Sequence, residues 1–130
     1  MSASERGRVT VGLTPAGAEA LAKVMSTSWF AEEKDAYKVG IAIALRAEIN
    51  VDQPLGGATT KFNIGTLDPD QKVVALIQTF LGSEAGDPVV LAERLAEQGL
   101  LVLAAKLVEQ EEKLSDVLGV GSEDPPDAED

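Results

Sequence analysis

Hydrophobic and polar positions alternate near the start of the chain and then recur every three or four residues along most of its length. In residues 8–13, the side chains of Val9, Val11 and Leu13 point to one side, and polar or small residues point to the other. This alternation predicts a short, half-buried strand. The helical periodicity that follows predicts a mainly α-helical protein, in which the N-terminal strand precedes four or five helices.

The predicted helices begin where capping residues stand next to proline or precede acidic residues. They cover about residues 15–26, 29–49, 69–81 and 88–98. Gly82 ends the third helix. Gly99 either ends the fourth helix or is tolerated inside a longer one. Beyond Gly99, apolar residues continue at spacings of three and four as far as Leu118, which favours an amphipathic packing helix.

The second predicted helix contains the segment VGIAIAL, which is apolar around nearly its whole circumference. Its two apolar stripes consist of Phe30, Tyr37, Ile41, Ala44 and Leu45, and of Val39, Ala42 and Ile43. A surface helix has one apolar face, so we expect a second subunit to cover one of the stripes. The predicted dimer core combines strand and helix residues: Val9, Val11, Leu13, Tyr37, Val39, Ile41, Ile43 and Leu45.

The chain accordingly divides into four regions. They are a strand-helix-helix dimerisation region (1–49), a connecting loop (50–66), an acidic helical region (67–118) and an acidic tail (119–130) that we expect to be disordered. The motif KFNI within the loop is compatible with a short strand.

Composition restricts the function classes. The chain contains no cysteine and no histidine, which excludes zinc sites built from those residues, Ser-His-Asp and Cys-His nucleophile systems and haem ligation by His or Cys. The first residues show no apolar signal core, and no apolar run approaches the length of about 18 residues that a membrane helix needs. We therefore expect a cytoplasmic protein that does not insert into membranes.

Charge divides the chain in two. Residues 1–50 hold six basic and six acidic side chains, whereas residues 51–130 hold five basic and sixteen acidic ones, so the second half carries the whole net charge of −11. The common reason for such an excess is solubility.

The polar residues point to no catalysis and to no cofactor or metal. The glycine-containing segments lack the remaining residues of a phosphate-binding loop. Asp68 and Asp70 are oxygen ligands of the kind Mg²⁺ prefers, but their place around Pro69 is explained by helix capping. Trp29 and Phe30 are typical of packing at a helix start. We expect a non-enzymatic protein.

The residues RVTVGL, TPAGAEALAKVM, STS and FAEEKDAYKVGIAIALRAEI together resemble the ribbon-helix-helix fold of small bacterial transcription factors. In that family, the strands of two chains form an antiparallel ribbon that reads bases in the major groove. The resemblance implies a homodimer in which Arg6, Arg8 and Thr10 face DNA and backbone N–H groups near Ser28 contact phosphate.

A second stretch, YKVGIAIALRAEI, is similar to the helix of the small accessory subunit of bacterial DNA sulfur-modification systems. DNA binding draws its affinity mainly from phosphate neutralisation, and a dimer with twice the charge of −11 has few cations to offer.

Two interpretations of the function remain open. One is a non-enzymatic adaptor that self-associates through its N-terminal half and binds a partner protein through its acidic helical half. The alternative is a DNA-binding regulator or a DNA-modification accessory protein.

Overall fold

The computed structural model of the protein describes residues 9–118. Its elements in chain order are β1 (Thr10–Leu13), α1 (Pro15–Met25), α2 (Glu33–Arg46), β2 (Thr59–Asn63), α3 (Ile64–Leu67), α4 (Lys72–Leu81) and α5 (Pro88–Leu118). A 3₁₀ turn at Ser83–Ala85 lies between the last two helices. The mainly helical class with an N-terminal strand is thus confirmed. The expected disorder of residues 119–130 lies outside the described residues.

The two strands form one antiparallel sheet within the chain. Thr10 lies opposite Asn63 and Leu13 lies opposite Thr59, with an irregularity in the register after Val11. Val11 and Leu13 are buried, as the alternating pattern predicts, whereas Val9 precedes the strand and is exposed. The second strand falls in the region expected to be a connecting loop, at the position where KFNI allows a strand.

The core is arranged around α5, a single helix of 31 residues that is about 46 Å long at 1.5 Å per residue. Its first half is almost completely buried, while its second half becomes progressively exposed. Helix α2 packs along the buried half, and α1 and β1 pack beside it. Short apolar side chains dominate this contact, which lets the helix backbones approach each other closely.

Two glycines set the distance between α2 and α5. A Cβ atom at Gly99 would overlap the backbone carbonyl of Gly40, and a Cβ atom at Gly40 would come within 3.1 Å of the carbonyl oxygen of Ala96. Gly99 is therefore an interior glycine of α5, and the helix predicted to end near residue 98 continues to Leu118. The sequence left both possibilities open because the contact that requires glycine is made by a residue 59 positions earlier, Gly40.

The two apolar stripes of α2 are covered to different extents within the chain. Its first stripe is buried in the core of the same chain: Ala36, Tyr37, Gly40, Ile41, Ala44 and Leu45. Val39 and Ile43 on the second stripe are half-buried. The first stripe is thus covered within the chain, chiefly by α5, and Val11, Leu13, Tyr37, Ile41 and Leu45 are buried without a partner chain. A second subunit over the half-buried second stripe stays a prediction.

Two helices begin later than predicted. Helix α2 starts at Glu33 rather than at residue 29, because Ser28 has a positive φ of 67° and Glu32 is extended. Helix α4 starts at Lys72 rather than at residue 69, because Gln71 adopts a left-handed conformation with φ of 61°. The capping role of Asp68 is retained, since its carboxylate accepts hydrogen bonds from the N–H groups of Val73 (2.9 Å) and Val74 (3.0 Å).

We predict that Gly99→Ala lowers the free energy of unfolding by more than about 2 kcal/mol, because the new methyl group meets backbone atoms that cannot rotate away. Gly56→Ala is the matched control, since nothing lies within 4 Å of its added Cβ, and we expect a change of less than about 0.5 kcal/mol. Urea unfolding followed by circular dichroism measures both. Equal stability of the two variants would contradict the close crossing of α2 and α5.

Candidate interaction surfaces

The residues that the resemblance assigned to DNA are placed as follows. Arg6 and Arg8 lie outside the described residues. Thr10 is the first residue of β1 and is half-buried opposite Asn63. Ser28 is exposed in the turn between α1 and α2. Of these four positions, the structure thus describes only Thr10 and Ser28, which lie in different elements.

The outer edge of β1 is occupied by side chains of the same chain. The N–H of Gly12 donates to Glu93 Oε2 at 2.8 Å, and the carbonyl oxygen of Gly12 accepts from the Tyr37 hydroxyl at 2.9 Å. The N–H of Thr14 donates to Glu97 Oε1 at 3.1 Å. The ribbon implied by the resemblance pairs this strand with a second copy. In this structure, its neighbours are β2 on one side and these side chains on the other.

Glu93 and Glu97 are buried carboxylates on successive turns of α5. Besides the backbone of Thr14, Glu97 accepts a hydrogen bond from the Thr14 hydroxyl, and that hydroxyl in turn accepts from the N–H of Gly17. Glu97 therefore lies at the N-terminal end of α1, where the helix dipole favours negative charge. A Cβ atom at Gly17 would overlap this carboxylate, so the close approach requires glycine.

Sequence reasoning did not single out either glutamate. The available signal was their spacing of four residues inside a stretch where leucine, alanine and glycine dominate. Their hydrogen bonds attach β1 and the start of α1 to the central helix. The geometry indicates a structural role, because Glu97 accepts hydrogen bonds from the N–H and the hydroxyl group of Thr14.

The two aspartates considered as magnesium ligands, Asp68 and Asp70, are explained by their place at the start of α4. Asp68 caps α4, and Asp70 accepts from the N–H of Lys72 at 3.3 Å. Across residues 9–118, no group of three or more His, Cys, Asp and Glu side chains is arranged to hold a metal ion. In the same range, no helix combines the length and the apolar character that crossing a bilayer requires.

An open pocket of about 460 Å³ lies between the end of α2, the end of α4 and the start of α5. Leu45, Leu91 and Leu95 form part of its apolar floor, and Phe80 and Leu81 of α4 line one wall. The charged side chains that line it are Glu48 and Asp52. The Arg94 guanidinium lies beside it and donates to the backbone carbonyls of Val51 (3.0 Å) and Asp52 (3.3 Å).

The opposite end of α5 carries a second apolar surface, formed by Leu114, Val117 and Leu118 and called here the α5 end. These side chains are 58%, 81% and 64% exposed, respectively. They continue the apolar stripe that Leu100 and Leu107 begin inside the core. Leu107 is the last buried residue of α5 within the described part of the chain.

Comparisons of the chain with models of protein families, with curated proteins and with solved structures find no match.

We predict that Glu97→Gln lowers the free energy of unfolding by about 1.5–3 kcal/mol, because the amide loses charge-assisted hydrogen bonds to the backbone and hydroxyl of Thr14. Glu109→Gln removes the same charge from an exposed position of the same helix and should change stability by less than about 0.5 kcal/mol. Chemical unfolding measures both variants. A Glu97→Gln protein as stable as the control would show that this buried carboxylate does not hold β1 and α1 in place.

Proposed function

We propose that this protein is a non-enzymatic interaction protein that pairs with a second copy of itself through the α5 end and binds a partner protein through its acidic helical half. The observation that carries the proposal is the apolar stripe of α5, which extends beyond the helices that cover it. An exposed apolar stripe of this kind is typical of a surface that another chain covers.

The stripe becomes exposed where α2 ends. Helices α2 and α5 run in opposite directions, because Gly40 meets Gly99 while the chain after α2 reaches Arg94 near the start of α5. With an equal rise per residue, the first turn of α2 lies near the level of Leu107. From Leu107 to Leu118, α5 extends about 16 Å further without α2 beside it.

Helix α1 accompanies α5 in the same direction. Thr14 contacts Glu97, and Lys23 forms an ion pair with Glu111 at 2.8 Å. The turn that follows α1 therefore lies at the same end of the molecule as the α5 end. Trp29 in this turn is 56% exposed, and tryptophan is among the residues that contribute most to protein–protein interfaces.

The charges beside the stripe favour a second copy in parallel orientation. In a heptad reading with Leu107 and Leu114 at position a, Lys106 and Lys113 occupy position g, while Glu111 and Leu118 occupy position e. A parallel pair places Lys106 of one copy near Glu111 of the other. An antiparallel pair would place lysine against lysine and glutamate against glutamate, which is unfavourable.

The remaining acidic side chains of this segment do not oppose pairing. Glu109, Glu112 and Asp116 lie on the helix face opposite the stripe, as their spacing from Leu114 requires. The apolar contact is short, covering less than two heptads, so we expect a reversible dimer with micromolar affinity rather than a permanent one.

The DNA-binding alternative has less support. The outer edge of β1 is occupied from Gly12 to Thr14, and the net charge of −11 opposes contact with phosphate. No observation in residues 9–118 favours it over a protein partner.

We predict a concentration-dependent equilibrium between single chains and dimers of the wild-type protein in sedimentation velocity. Val117→Asp should shift the equilibrium to single chains, because it places a charge in the stripe and, in the pair, brings two carboxylates together. Val108→Asp is the matched control on a different face of the same helix, where the side chain is 43% exposed.

The control should retain dimers, and both variants should keep the helical circular-dichroism signal of the wild type. The proposed self-association is refuted if the wild type stays a single chain at every concentration, or if the two variants weaken the dimer equally.

A further inference from the structure

We infer that the pocket between α2, α4 and α5 binds a segment of a partner protein that presents an apolar side chain next to lysine or arginine. This inference rests on the proposed function, because it names the partner class of an interaction protein. The pocket is at the end of α5 opposite to the α5 end, so the two surfaces can be tested separately.

The pocket exists because α4 stands away from the rest of the core. Within α4, only Ile77 is buried, while Leu76, Phe80 and Leu81 are exposed on a helix of ten residues. Phe80 is 53% exposed although it lines the pocket. An exposed aromatic wall beside an apolar floor is the arrangement by which grooves hold the apolar anchor of a docked helix or extended segment.

The size of the pocket fits such an anchor. Its volume of about 460 Å³ lies within the range of about 300–1,000 Å³ that is typical of ligand pockets in proteins. Its floor is contributed by Ala44 and Leu45 of α2 and by Leu91 and Leu95 of α5. These four side chains are buried in the core, whereas Phe80 on the α4 side is exposed.

The charges specify what flanks the anchor. Glu48 and Asp52 are both exposed at the pocket, and the last carbonyl groups of α2 add the negative end of its dipole. The nearby Arg94 already donates to the backbone carbonyls of Val51 and Asp52. A basic residue beside the anchor therefore finds carboxylate partners, whereas an acidic segment or a phosphate backbone is repelled.

The same reasoning excludes the acidic C-terminal segment as the occupant. Residues 119–130 contain five acidic and no basic side chains. We assign a second copy to the other end of α5, where lysine side chains flank the apolar stripe on one side and Glu111 flanks it on the other. The observations thus favour a different protein with a basic, apolar segment.

The test uses two fluorescent synthetic peptides of equal length, one with leucines on one helix face flanked by lysines, the other with every lysine replaced by glutamate. We expect the lysine peptide to bind the full chain with a micromolar dissociation constant in fluorescence anisotropy, and the glutamate peptide not to bind. Phe80→Ser should weaken binding about tenfold or more, since it removes an aromatic contact. Trp29→Ser, at the other end of the molecule, should not.

The charge contribution is tested with Glu48→Lys combined with Asp52→Lys, against Glu109→Lys combined with Asp116→Lys. Both proteins gain the same charge, but the first should weaken binding of the lysine peptide about tenfold or more and the second less than about threefold. Equal weakening by the two double variants would mean non-specific attraction to an acidic protein and would overturn the inference. Failure of the lysine peptide to bind the wild type would also overturn it.

The outcome is independent of self-association. Val117→Asp, which disrupts the proposed dimer, should bind the lysine peptide with unchanged affinity. A protein that stays a single chain but binds the peptide at Phe80 would remove the dimer and leave the pocket assignment intact. A protein that forms dimers but does not bind the peptide would leave the self-association intact and remove the pocket assignment.

Discussion

The contact between Gly40 and Gly99 is the constraint on which the rest of the structure depends. It brings the backbones of α2 and α5 so close that a side chain at Gly99 would overlap the backbone of Gly40, while one at Gly40 would be tightly packed against Ala96 and Leu100. The alanines and leucines around it are then buried against each other with few aromatic residues, as a composition of 4% aromatics requires. Because α2 lies this close, the first half of α5 is almost completely covered. From another side of α5, Glu93 and Glu97 form hydrogen bonds with β1 and the start of α1.

Much of the fold follows from local sequence signals. The first strand, the start of α1 at Pro15, the end of α4 at Gly82 and the start of α5 at Pro88 are marked by alternation, by capping residues or by glycine. The features that sequence reasoning left open or missed depend on contacts between distant residues. Whether Gly99 ends a helix is decided by Gly40, and the burial of Glu97 is decided by Thr14.

The same limit applies to the candidate sites. The sequence shows that α2 is apolar around most of its circumference. It does not show whether the surface that covers these side chains belongs to the same chain or to another one. The first stripe of α2 is covered by α5 of the same chain, whose Leu100 and Ala96 lie against Gly40. The pocket was not predictable either, because Glu48, Phe80 and Leu91 come from three separate segments that only the tertiary structure brings together.

Helix α5 connects the two proposed interaction surfaces. Leu91 lines the pocket near its start, and Leu118 ends it about 40 Å away. A pair of copies joined at the α5 ends would therefore hold two pockets at a distance from the contact between them. Such an arrangement would suit the proposed role of bringing two partner segments together.

Amide hydrogen exchange along α5, measured at several protein concentrations, tests the central claim most directly. Slow exchange at every concentration is expected for residues 92–107, across Gly99, because α2 covers them in the single chain. Residues 112–118 should exchange quickly in dilute protein and more slowly as the concentration rises. Fast exchange around Gly99, or exchange of the last turns that does not depend on concentration, would contradict the account.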